Sequence, residues 1–172
     1  MGLFDVLKPT GDEVPEAPII LTDYVIGAPT LDELRMLPED ACRRVDVNLR
    51  GPGGASYDAR HFIRLNGKHS PRVDVYTERG RSEDAASTAD FIADVTGGHV
   101  SARAQKWGAN GFHSRLFFHK SETLTPKRVA DWCGAYATRF ESVDVGSVHV
   151  ENLRADLFAE THIPWSHLRP AL

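Results

Sequence analysis

Pro71-Arg72-Val73-Asp74-Val75-Tyr76-Thr77-Glu78, then Ser82 to Val95, then Gly97-Gly98, then two runs split by Gly108-Ala109-Asn110-Gly111, form the stretch on which the fold turns. Val73 and Val75 alternate with Asp74 and Tyr76, the pattern of a half-buried strand. In the next segment Ala85, Ala89, Ile92 and Ala93 return to one side at helical spacing. Glu83 and Asp84 sit in the first turn against the positive helix end, Ser82 is read as the N-cap, and Gly97-Gly98 closes the helix. Val100–Trp107 and Phe112–His119 flank a four-residue glycine-containing turn and predict a β-hairpin. The unit predicts an α+β fold: a mixed, mostly antiparallel sheet with two packed helices, a β-hairpin and extended N- and C-terminal arms.

Upstream, Val45-Asp46-Val47-Asn48-Leu49 alternates in the same way and ends at Gly51-Pro52-Gly53-Gly54. Residues 57–66 fit either a short helix or a strand over His61–Leu65, with the Asn66-Gly67 turn signal favouring the strand. Thr30-Leu31-Asp32-Glu33-Leu34 has capping-box spacing, so a short helix runs to Leu37 and stops at Pro38. Ile19 to Ile26 is apolar enough for a strand. Residues 1–20 read as an arm: Leu3, Phe4, Val6 and Leu7 make an apolar patch, and Pro9, Pro15 and Pro18 deny helix and central strand. Such a segment is a mobile tail or an arm lying on a neighbour.

Downstream, Thr125 caps a second helix with Pro126 at its first position. Val129, Trp132, Cys133, Tyr136 and Phe140 form its apolar stripe. Val143 to Val150 reads as a strand. His162 to Pro170 is irregular and aromatic, again like an arm. The expected organisation is an arm over 1–20, one domain over 21–160 and a tail over 161–172. The expected core contains Val45, Val47, Leu49, Val73, Val75, Ala89, Ile92, Leu116, Phe118, Val129, Trp132 and Tyr136.

The chain has 172 residues, enough for one proper core, and 20 basic against 24 acidic side chains give a net charge of −4. That balance does not argue for nucleic acid by charge alone. No apolar run is long enough for a membrane span, the first residues lack a signal-peptide pattern, and Val6 fails the myristoylation motif. Cys42 and Cys133 have no metal-ligand spacing and are read as reduced, structural thiols. His113 and His119 share a face of one expected strand but lie about 20 Å apart, too far for one metal. Gly51–Gly54 lacks the spacing of a phosphate loop and reads as a turn. Arg43, Arg44, Arg50, Arg60, Arg64, Lys68 and Arg72 are interleaved with little aromatic content. They read as a solvated or interface face, with a passing nucleic acid as the alternative.

Pro52-Gly53-Gly54 after a strand, Ala85-Ala86-Ser87 on a helix and His113 downstream resemble the Clp-type serine proteases. That resemblance implies Ser87 as nucleophile, His113 as base, Gly53-Gly54 in an oxyanion hole, and Asp144 or Asp156 as third member. The residues themselves favour a surface serine. Ser87 projects within about 60° of Glu83, Asp90 and Asp94, an acidic solvated face, and it lies past the first helical turn.

The order of elements over residues 43–119 also resembles tail-terminator and neck proteins of long-tailed bacteriophages. The matching residues are Leu49-Arg50-Gly51-Pro52-Gly53-Gly54, Pro71 to Glu78, the helix Ser82–Val95 and the hairpin Val100–His119. The chain departs from that family in residues 1–40, which lack its long first helix, and in 125–172. The resemblance implies a non-enzymatic virion subunit, tail terminator or other head–tail joining component, in a homo-oligomeric and often six-fold ring. Its partners would be copies of itself and neighbouring tail-tube or connector proteins, with DNA passing through the lumen and assembly in the bacterial cytoplasm. It implies no cofactor, metal or catalytic residue. The alternatives are the Clp-like or crotonase-like hydrolase and a small cytosolic interaction domain of a bacterial cell.

Overall fold

The computed structural model describes residues 19–51, 55–64 and 70–171. The expectations for the arm over 1–18, for Pro52-Gly53-Gly54 and for the Asn66-Gly67 turn lie outside the described residues. The fold is α+β. Its strands are β1 (Ile20–Leu21), β2 (Tyr24–Gly27), β3 (Cys42–Arg50), β4 (Ser56–Phe62), β5 (Arg72–Thr77), β6 (His99–Trp107), β7 (Gly111–Phe117), β8 (Ser142–Val150), β9 (Leu153–Arg154) and β10 (Leu168–Pro170). Its helices are α1 (Leu31–Arg35), α2 (Ser82–Thr96), α3 (Pro126–Tyr136) and α4 (Ala155–Glu160).

Eight strands form one sheet in the order β10-β2-β8-β3-β4-β5-β7-β6, and β1 pairs with β9 in a small second sheet. Every pairing is antiparallel among the described residues. The meander β3-β4-β5 follows the chain; of residues 57–66, those up to Phe62 belong to the strand β4, and Leu65 and Asn66 lie outside the described residues. Alternation decides the faces. Val45, Val47, Leu49, Ala59, His61, Val73, Val75, Leu116, Val145 and Val148 point into the core, under α1, α2 and α3. All twelve residues expected in the core are buried.

The helices form for the reasons their sequences carry. Thr30 and Glu33 close a capping box on α1, each side chain taking the other's backbone N–H. Thr125 caps α3 with Pro126 at its first position, and Val129, Trp132, Cys133 and Tyr136 are buried. Helix α2 ends at Gly97, whose φ of 80° is open to glycine and strained for other residues. Ser82 is the first residue of α2 rather than its cap; Arg81 takes the cap position without a side-chain hydrogen bond. Phe91 of α2 meets the rings of Tyr136 and Phe140 at 6.3 and 6.0 Å, joining the two long helices.

Other expectations are corrected. Ile19 to Ile26 is two strands, because Asp23 adopts a positive φ of 57° and turns β1 away to β9. So Ile20, expected in the arm, is paired. The tail over 161–172 is built into the domain up to Ala171. Leu168 is buried and pairs with Ile26, Ile163 is buried, and Trp165 packs edge-on against Phe158 at 4.9 Å. Burial of these apolar groups holds the segment down. His119 lies beyond the end of β7 and bonds Ser121, so it shares no strand with His113.

Candidate functional site

The side chains that alternate with the core residues occupy the other face of the sheet. No helix lies on that face among the described residues. The register sorts them into three rows running across β8, β3, β4, β5 and β7. The first is His149, Arg44, Phe62, Arg72, Phe117. The second is Ser147, Asp46, Arg60, Asp74, Arg115. The third is Asp144, Asn48, Asp58, Tyr76, His113. Directly opposed residues on one face interact most strongly, so the rows are the chemical units of this surface.

The second row alternates in charge. Asp74, only 1 % exposed, is its centre. Its Oδ1 accepts from Arg115 Nε at 2.6 Å and from His113 Nε2 at 2.9 Å, and Arg72 Nε lies 3.1 Å from its Oδ2. Burying a carboxylate is costly unless it is paired and hydrogen-bonded in this way. The hydrogen bond to Asp74 in turn lifts the Arg115 guanidinium above its ordinary value. Asp46 is held by Arg44 Nη2 at 3.0 Å, Ser147 Oγ at 3.2 Å and His149 Nε2 at 3.4 Å. Burial alone would raise the Asp46 carboxyl, but the His149 hydrogen bond and the Arg44 charge outweigh it and hold it below the usual range. Asp58 goes the other way: burial raises it, and Arg60, with Nε 3.4 Å away, only partly compensates.

The third row ends in aromatic rings. Tyr76 stacks on His113 with centroids 4.7 Å apart, and Trp107 of β6 closes on Tyr76 at 4.8 Å. Arg60 lies over the Tyr76 ring at 5.2 Å. In the first row the Arg72 guanidinium lies 4.5 Å over Phe62, and Arg44 Nη2 meets His149 Nε2 at 2.7 Å. A crevice of about 530 Å³ opens here, lined by Arg43, Arg44, Phe62, Ser70, Arg72, Phe117 and His149.

The residues singled out for hydrolysis are not brought together. Ser87 is on α2 and its hydroxyl accepts from Arg139 of the loop after α3. His113 is on the opposite face of the sheet, bound to Asp74. Asp156 is engaged by Arg154, and Asp144 lies opposite Asn48 on the open face. Gly53-Gly54 lies outside the described residues. No group of three metal-ligating side chains occurs among the described residues.

Sequence reasoning missed Asp74 as a charge centre, and it missed the aromatics beside the basic residues. Phe62 and Phe117 flank Arg72 only through the pairings β4–β5 and β5–β7. The available signal was the repeated pattern of polar and aromatic residues two apart: Arg44-x-Asp46-x-Asn48, Asp58-x-Arg60-x-Phe62, Arg72-x-Asp74-x-Tyr76 and His113-x-Arg115-x-Phe117. Compared with protein-family models, curated proteins and solved structures, the chain gives no match.

Proposed function

We propose that the protein is a binding and assembly subunit, a structural component of a phage neck or tail that docks on copies of itself in a ring through the helix-free face of its sheet. One observation carries the reading. The Trp107–Tyr76–His113 stack stands on that face with Trp107 47 % exposed, beside Arg60. Large rigid aromatics with arginine make up interface centres, because they bury much surface for little lost side-chain freedom. The ring itself rests on the resemblance of residues 43–119 to tail-terminator and neck proteins. The outer strands β6 and β10 lie at opposite edges of one sheet, which suits a head-to-tail contact that closes on itself.

The test is molar mass by light scattering at several concentrations. The expected result is a discrete ring that Trp107→Ala reduces to a monomer whose far-ultraviolet circular dichroism still matches that of the unaltered chain. A full-length chain that stays monomeric at every concentration overturns the ring and favours the small bacterial interaction domain. A ring that survives Trp107→Ala removes the Trp107 stack as its interface.

A further inference from the structure

We propose that the crevice over the first row binds a small ligand carrying both phosphate and a planar ring, a nucleoside phosphate in chemical class. Its volume of about 530 Å³ is in the range of small-molecule sites. Among the described residues its walls supply three guanidinium groups, an imidazole, the Ser70 side chain and two phenyl rings, and no carboxylate. The acids that hold the arginines do not line it: Asp46 pairs with Arg44, Asp74 with Arg72, and Glu151 with Arg43. Each guanidinium carries five N–H donors, so one carboxylate partner leaves donors for a phosphate oxygen. Arginines already pinned in place lose less freedom when a ligand arrives.

The ring half of the ligand has its own surface. Phe62, Arg72 and Phe117 stand side by side across three strands, with Arg72 packed over Phe62 and Phe117 37 % exposed. A planar base stacks on such a phenyl–guanidinium–phenyl strip. A long polyanion fits less well. Asp46 and Asp74 occupy the adjoining row, Asp58 and Asp144 the one beyond it, and the whole chain carries −4.

Isothermal titration of the full chain with AMP, inorganic phosphate and oligo-thymidylate tests the site, using the unaltered protein, Arg72→Gln and Phe117→Ala. Both substitutions are on the solvent side of the sheet, and the thermal midpoint of each verifies its folding. The expected result is saturable AMP binding, weakened about tenfold by either variant. Phosphate binding should weaken with Arg72→Gln and not with Phe117→Ala. No saturable heat at millimolar AMP, or AMP binding unchanged in both variants, overturns the proposal. Oligo-thymidylate binding more than about tenfold tighter than AMP overturns the small-ligand assignment in favour of a single strand. The crevice and the Trp107 stack occupy different rows, so loss of the ring with AMP binding intact bears on the assembly reading alone.

Discussion

The His61 imidazole and the Tyr136 hydroxyl meet at 2.9 Å between the sheet and α3, both sealed from solvent. His61 Nδ1 lies 3.3 Å from the Ala59 carbonyl oxygen, which can only accept. Nδ1 therefore carries the proton, and Nε2 accepts from the Tyr136 hydroxyl. The pair is a polar tie through an apolar layer, with the Trp132 ring 5.8 Å from the imidazole. Burial lowers the His61 pKa to about 4 and lifts the Tyr136 phenol well above its ordinary value.

Stability should therefore fall on acidification below neutral pH. The unfolded His61 takes a proton near pH 6.5, whereas the folded one stays neutral down to about 4. The contribution is complete above 6.5, is lost as pH falls from 6.5 to 4, and is flat below. Between pH 7.5 and 5 the loss is about 2 kcal/mol. Denaturant unfolding of the unaltered chain and of His61→Gln at both values measures it. A pH dependence identical in the two proteins refutes the assignment.

Trp132→Ala should destabilise by about 3–5 kcal/mol. The indole is buried, stacks on Phe118 at 5.7 Å and borders His61, so its loss opens a cavity between α3 and the sheet. An unfolding midpoint equal to that of the unaltered chain would show that α3 is not packed on the sheet in this way.

Asp74→Ala should lose about 3 kcal/mol, the lower end for breaking a buried ion pair. Arg72 and Arg115 keep 36 % and 33 % of their side chains exposed, so water partly replaces the missing carboxylate. Asp156→Ala, which breaks the exposed Arg154 pair, should lose at most about 1 kcal/mol. Chemical denaturation of the two variants side by side decides the point, and equal losses would contradict the central role of Asp74.

Gly111→Ala should loosen the hairpin end and the aromatic stack with it. A Cβ at Gly111 would meet the carbonyl oxygens of Thr77 and Trp107 at 2.5 and 2.7 Å, backbone atoms that yield only if β5 or β6 moves. A loss of about 1–3 kcal/mol is expected. Near-ultraviolet circular dichroism should also lose signal from Trp107 and Tyr76. A variant with an unaltered spectrum and midpoint would count against the close approach.

Much of the fold was legible because its signals are local. The Thr30–Glu33 capping box, the Thr125-Pro126 start of α3 and the Gly97 stop of α2 act within one turn of chain. The break at Asp23 and the docking of Leu168 were not legible. The first is a single positive φ inside an apolar run, and the second depends on β2, more than a hundred residues earlier.

Which side chains share a face is readable along the chain alone, since a two-residue period belongs to any extended backbone. That period placed Val73 and Val75 inward and Arg72, Asp74 and Tyr76 outward with no reference to the rest of the chain. Which outward residues become neighbours depends on the assembled sheet. Asp74 gathers Arg115 and His113 because β7 lies beside β5, and Asp46 meets Ser147 and His149 because β8 returns beside β3. Strand β8 shifts register against β3 next to Gly146, where a Cβ would press on Asn48 at 2.9 Å. A ladder neighbour is set by strand order and register, and those follow from the packing of the whole core.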